Sequence, residues 1–124
     1  MALLSACGGR SFGTDDGGTG DPIEVVRTVC ELRMDSPSAC DAACLATVEE
    51  ASMDCGSSAL AESSEWADLM ACLGACPLGL TCGETFHFDC ECSVECLRAR
   101  SEGYVELYAS IARCVDEAIS GVCY

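Results

Sequence analysis

The chain contains no lysine, no asparagine and no glutamine, and only one histidine among its 124 residues. Without lysine there is no side-chain amine to serve as a nucleophile. Any Ser–His or Cys–His scheme would have to pass through His87, which sits in Phe86-His87-Phe88 beside Asp89. No two cysteines stand in C-x-x-C, the spacing of thioredoxin-like redox sites. No run approaches the roughly 20 apolar residues of a membrane span. Basic residues are scarce: six arginines stand against 21 acids, for a net charge of −15. Phosphate contacts supply most nucleic-acid affinity, so DNA and RNA are excluded as partners. Lysine and asparagine have AT-rich codons, and their absence points to a high-GC bacterial genome. The acids are scattered along the chain, as on a solvated acidic surface.

What is abundant is cysteine, at 13 residues. The first lies in Leu4-Ser5-Ala6-Cys7, which resembles the lipobox of bacterial lipoproteins. The resemblance implies that Cys7 is diacylated, and that this lipid is the membrane attachment. Only six residues precede Cys7, whereas a signal peptide needs a basic segment and about 7–15 apolar residues, so the signal is expected to begin upstream. Gly8, in place of an Asp that retains many lipoproteins at the inner membrane, favours the outer membrane. With Cys7 lipidated, 12 cysteines remain, an even number suited to disulfides.

Residues 1–7 are thus read as signal remnant and lipobox, and residues 8–21 as a tether. Its Gly8–Gly20 stretch, GGRSFGTDDGGTG, has one large apolar residue, too little to offset the entropy of ordering it. Residues 22–124 form one small domain whose cysteine density is that of a disulfide scaffold. The expected fold is all-α, a disulfide-stapled bundle of about four to five antiparallel helices. Asp21-Pro22 starts a helix running to about Met34. Ser36-Pro37 opens a second to about Met53, ended at Asp54-Cys55-Gly56. A third covers Ser58 to Ala75, with Trp66, Leu69, Met70 and Leu73 at helical spacing. Pro77 to Asp89 reads as a loop. From Cys90 onward one or two helices follow, broken at Gly103 and closed by Gly121.

Cysteine spacing organises this domain. Cys30, Cys40 and Cys44 repeat as Cys82, Cys92 and Cys96, which hints at a duplication. Cys40/Cys44, Cys72/Cys76 and Cys92/Cys96 are C-x-x-x-C pairs. Residues four apart on a helix have Cβ atoms about 6 Å apart, whereas a disulfide wants about 3.8 Å. Each pair should therefore bond outward to a neighbouring helix. Partners across an antiparallel helix pair have a constant sum of residue numbers. Cys40–Cys76 and Cys44–Cys72 satisfy this around residue 58, and Cys96–Cys114 and, less neatly, Cys92–Cys123 follow the same logic. Cys30, Cys55, Cys82 and Cys90 remain without assigned partners.

Over residues 40–76, paired C-x-x-x-C helices resemble the α-hairpinins and, more distantly, coiled-coil-helix-coiled-coil-helix proteins. The resemblance implies an architecture and no activity. The repeated C-x-x-x-C motifs also resemble exported four-helix copper-storage proteins, which implies Cu(I) on soft thiolates as the alternative function. Against it, Cys55, Cys76, Cys82 and Cys123 lie beside Gly or Pro or near the end of the sequence, positions suited to staples. Cys82, His87, Cys90 and Cys92 form a weaker zinc candidate, and Cys90-Glu91-Cys92 a weaker redox pair. The expectation is a lipid-anchored envelope protein with a non-catalytic binding or structural role, no cofactor and no metal.

Overall fold

A computed structural model describes residues 21–83 and 85–124; Cys7 and the tether before Asp21 lie outside the described residues. Helix α1, Pro22–Asp35, begins as its sequence dictates. The Asp21 carboxylate accepts from the Ile23 amide at 3.0 Å, and Pro22 holds the first turn. The Ser36-Pro37 pair does not open the next helix. Ser36 Oγ instead donates to the Cys123 carbonyl and accepts from the Ser38 amide, so residues 37–40 form a turn and α2 spans Ala42–Asp54.

The single helix expected over Ser58–Ala75 is two: α3, Ser58–Ala61, and α4, Trp66–Gly74. Ser63 causes the break. Its Oγ accepts from the Glu65 amide and its carbonyl from the Trp66 amide, both at 3.1 Å, a local turn that competes with helix. The break frees Glu65 to brace the start of α6, accepting from the Ser101 amide at 2.7 Å and from Ser101 Oγ. These bonds hold the Glu65 carboxyl below its ordinary range. Its stabilisation is fully present above the unfolded-chain pKa of about 4.3 and is lost as pH falls through the lower folded value. Glu65→Gln should therefore melt below wild type at neutral pH, with the two melting curves converging near pH 2; a gap that persists in acid would count against it.

The segment expected as a loop holds a two-stranded antiparallel hairpin, β1 (Leu78–Cys82) and β2 (Thr85–Phe88). Cys82 pairs with Thr85 and Leu80 with His87, and a bulge at Gly79 separates these from the Leu78–Phe88 pair. A Cβ on Gly79 would stand 3.2 Å from Asp89 Cα, a tight approach that favours glycine at the bulge. Asp89 then caps α5, Cys90–Arg98, by accepting from the Cys92 amide at 3.0 Å. The last helix, α6 (Glu102–Ile119), is capped by Ser101. The α5–α6 break thus falls at residues 99–101, and Gly103 lies inside the first turn of α6. Gly121, at φ +97°, ends α6 as expected.

Helix α6 is the spine, packing against α1, α2 and α3, while α5 lies between α1 and α4. Leu69, Val94, Leu97 and Ile119 are fully buried where these helices meet, each contributing roughly 1.5–3 kcal/mol of transfer free energy. The result is the disulfide-stapled helical bundle expected, with six helices and a small hairpin among the described residues. No helix among the described residues is long and apolar enough to cross a membrane.

All 12 cysteines of the domain are paired, and none of the four expected pairings forms. Cys40 joins Cys82 rather than Cys76, and Cys44 joins Cys123 rather than Cys72. Cys114 joins Cys55 rather than Cys96, and Cys92 joins Cys76 rather than Cys123. Cys72 joins Cys96, and Cys30 joins Cys90. The physical reason is helix partnering: α2 docks on α6, and α4 docks on α5. The constant-sum rule itself holds, for a different pair of helices. Cys72–Cys96 and Cys76–Cys92 each add to 168, which centres them between β1 and β2. The spacing repeat is not a structural one, since Cys30 lies in a helix and its counterpart Cys82 in a strand.

Candidate functional site

Along α1, Val26, Val29 and Arg33 fall at helical spacing on one face. That face is buried, so the fold carries an arginine into its interior: Arg33 is only 8% exposed. It enters at the last turn of α1, where the carbonyl end of the helix favours a cation. Around it lies a cleft of about 240 Å³, walled by α1, by β2, by Ser93 and Val94 of α5 and by Tyr108 and Ala112 of α6, with Leu73 of α4. The Cys30–Cys90 bridge ties α1 to the start of α5 at this wall. Phe86 and Phe88 flank His87 and meet edge to face, with ring centroids 5.3 Å apart.

The polar content of the cleft centres on one contact. Arg33 Nη2 lies 2.8 Å from His87 Nε2. A guanidinium has donors only, so His87 Nε2 is the acceptor and the imidazole is neutral, with its proton on Nδ1. Burial and the adjacent guanidinium both push the His87 pKa down, burial more. Burial also lowers that of Arg33, which Tyr124 partly offsets, though a guanidinium stays charged at neutral pH. The Tyr108 phenol is pushed up by burial and by Tyr104, and remains protonated.

Arg33 differs from the other described arginines in its ion pairing. Arg27 pairs with Glu24 and with Glu91, Arg98 with Glu95 and Arg100 with Asp68, while Arg113 also has interaction partners. Arg33 has no carboxylate within 4.0 Å among the described residues. Its Nε is buried without a hydrogen-bond partner there.

Of the candidate ligand, catalytic and half-cystine residues read from the sequence, His87 and Cys30 line this cleft, beside Leu73, Phe86 and Phe88. The zinc candidates do not assemble as thiolates: Cys82, Cys90 and Cys92 belong to three separate disulfides with Cys40, Cys30 and Cys76. For the same reason Cys90 and Cys92 are not a redox pair with each other. Three sulfurs, of Cys76, Cys92 and Cys96, do lie within 4.8 Å of one another. They belong to the two neighbouring disulfides joining α4 and α5, and a disulfide sulfur lacks the charge that makes a thiolate a ligand. Arg33 was missed from the sequence, although an arginine at i+4 and i+7 on a Val-lined helix face is a readable signal. Comparison with protein-family models, curated proteins and solved structures yields no match.

Proposed function

We propose that this chain is a lipid-anchored, disulfide-rich protein of the bacterial cell envelope with a non-catalytic binding role, and that the Arg33–His87 cleft is where it binds. The contact of 2.8 Å between these two residues carries the reading. It occupies the lone pair a general base needs, and it does so on the chain's only histidine. The Cys30–Cys90 bridge at the wall favours binding by leaving less to order when a partner arrives. Six disulfides suit an oxidising compartment, and the Leu4-Ser5-Ala6-Cys7 lipobox supplies the anchor in this reading, with Gly8 favouring the outer membrane. The second reading is Cu(I) storage, favoured by the gathered sulfurs of Cys76, Cys92 and Cys96, and it requires those sulfurs to be reduced.

The test is expression of the chain behind an upstream signal peptide, followed by membrane fractionation and thiol alkylation. Wild type should sediment with membranes and Cys7→Ser should become soluble. The domain should show no free thiol and a mass 12 hydrogens below the reduced chain, two for each of six disulfides. Identical partitioning of the two proteins would remove the anchor. Mostly free thiols with several Cu(I) ions per chain would establish copper storage instead.

A further inference from the structure

The cleft holds a positive charge without a direct counter-charge among the described residues. This is conspicuous in a chain with 21 acids and six arginines. A guanidinium taken out of water is costly unless it is paired and hydrogen-bonded. Arg33 is over nine-tenths buried, one of its nitrogens is spent on a neutral imidazole and its Nε has no partner among the described residues. The nearby phenol of Tyr124 influences Arg33 electrostatically, but it donates its own hydrogen bond to Asp116 Oδ1 at 2.6 Å. Asp116 is therefore linked to the arginine only through a neutral ring. The rest of the wall is mainly apolar, with Val29, Phe86 and Phe88 facing the same space and the hydroxyls of Ser93 and Tyr108 as its further polar groups.

We propose that the cleft binds a small apolar carboxylic acid, with its carboxylate on Arg33 and its hydrocarbon or aromatic body against the Val29 and Phe88 side. The inference rests on the binding role proposed above and names its ligand class. A carboxylate matches the guanidinium in charge and offers oxygen acceptors, so it forms the stronger, charge-assisted hydrogen bonds. The volume of about 240 Å³ is below the roughly 300–1,000 Å³ of pockets for drug-sized ligands, which limits the body to about one ring or a short branched chain. The acidic surface repels anions in general, so the free energy of binding must come from burial of the apolar body together with this single pair.

The experiment uses the intact oxidised chain and two probes of equal shape, phenylacetate and its neutral amide, phenylacetamide, with dissociation constants measured by titration calorimetry or ligand-observed NMR. Phenylacetate should bind at least about tenfold more tightly than the amide, the magnitude of one charge-assisted hydrogen bond. In Arg33→Met the preference should vanish while the circular dichroism stays that of wild type. Equal binding of acid and amide to wild type, a preference that survives in Arg33→Met, or no binding of either probe overturns the assignment. If Arg33→Met does not fold, the comparison of acid and amide on wild type decides alone. Thiol counting on the same sample separates the two failures. A fully oxidised chain that ignores phenylacetate refutes the ligand class only, whereas free thiols refute the scaffold on which the binding role rests.

Discussion

Reduction of all six disulfides is expected to unfold the domain, with loss of most of its helical circular dichroism at 25 °C. The core explains why. Its buried members are mainly valines, alanines and half-cystines, and Tyr104 is the most buried aromatic residue among those described. Such side chains each bury modest area, and a core built from them in a domain of this size is marginal alone. A native disulfide in a small secreted domain contributes about 2–5 kcal/mol, while whole domains are stable by only about 5–15 kcal/mol. Losing six removes an amount comparable to or larger than that margin. A chain that keeps its helical spectrum and a cooperative melt in strong reductant would show that α1, α5 and α6 hold together by packing alone.

Removal of one bridge should have graded effects, with Cys44–Cys123 the most costly. Its separation of 79 residues overstates the loop it closes, because Cys55–Cys114 lies inside it. The remaining path runs 11 residues from Cys44 to Cys55 and 9 from Cys114 to Cys123. Chain entropy for a loop of that length is still about 3 kcal/mol. Both sulfurs are also fully buried, so replacement by alanine leaves a void in addition. Cys72–Cys96 is less enclosed: Cys96 is buried but Cys72 is exposed, and Cys76–Cys92 one helical turn away keeps α4 and α5 in register. Cys44→Ala with Cys123→Ala should therefore lose about 3–5 kcal/mol in urea unfolding, and Cys72→Ala with Cys96→Ala distinctly less. Equal losses, or the reverse order, would show that burial of the sulfurs does not matter here.

Local chemistry was legible in the sequence where it acts over a few residues. Asp21-Pro22 starts α1, Gly121 ends α6, and the rule that C-x-x-x-C pairs bond across helices holds for both rungs between α4 and α5. The identity of the facing helices was not legible, because docking of α2 on α6 is decided by residues some 60 positions apart. The β-hairpin was hidden by Pro77 and Gly79, which read as breakers although Gly79 is the bulge that lets the strands pair. Ser63 broke the third helix through a side-chain bond that periodicity does not register. The cleft escaped notice because polar residues on an apolar helix face look like exceptions. There the exception, Arg33, carries the candidate site.

The disulfide map also bears on how the chain can be made. No native bridge joins two cysteines that are consecutive in the sequence; even the shortest, Cys76–Cys92, passes over Cys82 and Cys90. A chain emerging from its amino end into an oxidising space presents Cys30 and Cys40 together, and Cys44 long before Cys123. An oxidant acting on cysteines in order of appearance would make only wrong bonds. Twelve cysteines allow about ten thousand complete pairings, and wrong ones are escaped by thiolate exchange over seconds to hours. Native yield is thus governed by reshuffling, so refolding should depend on a source of exchanging thiolate, and an oxidant alone should trap wrong pairings.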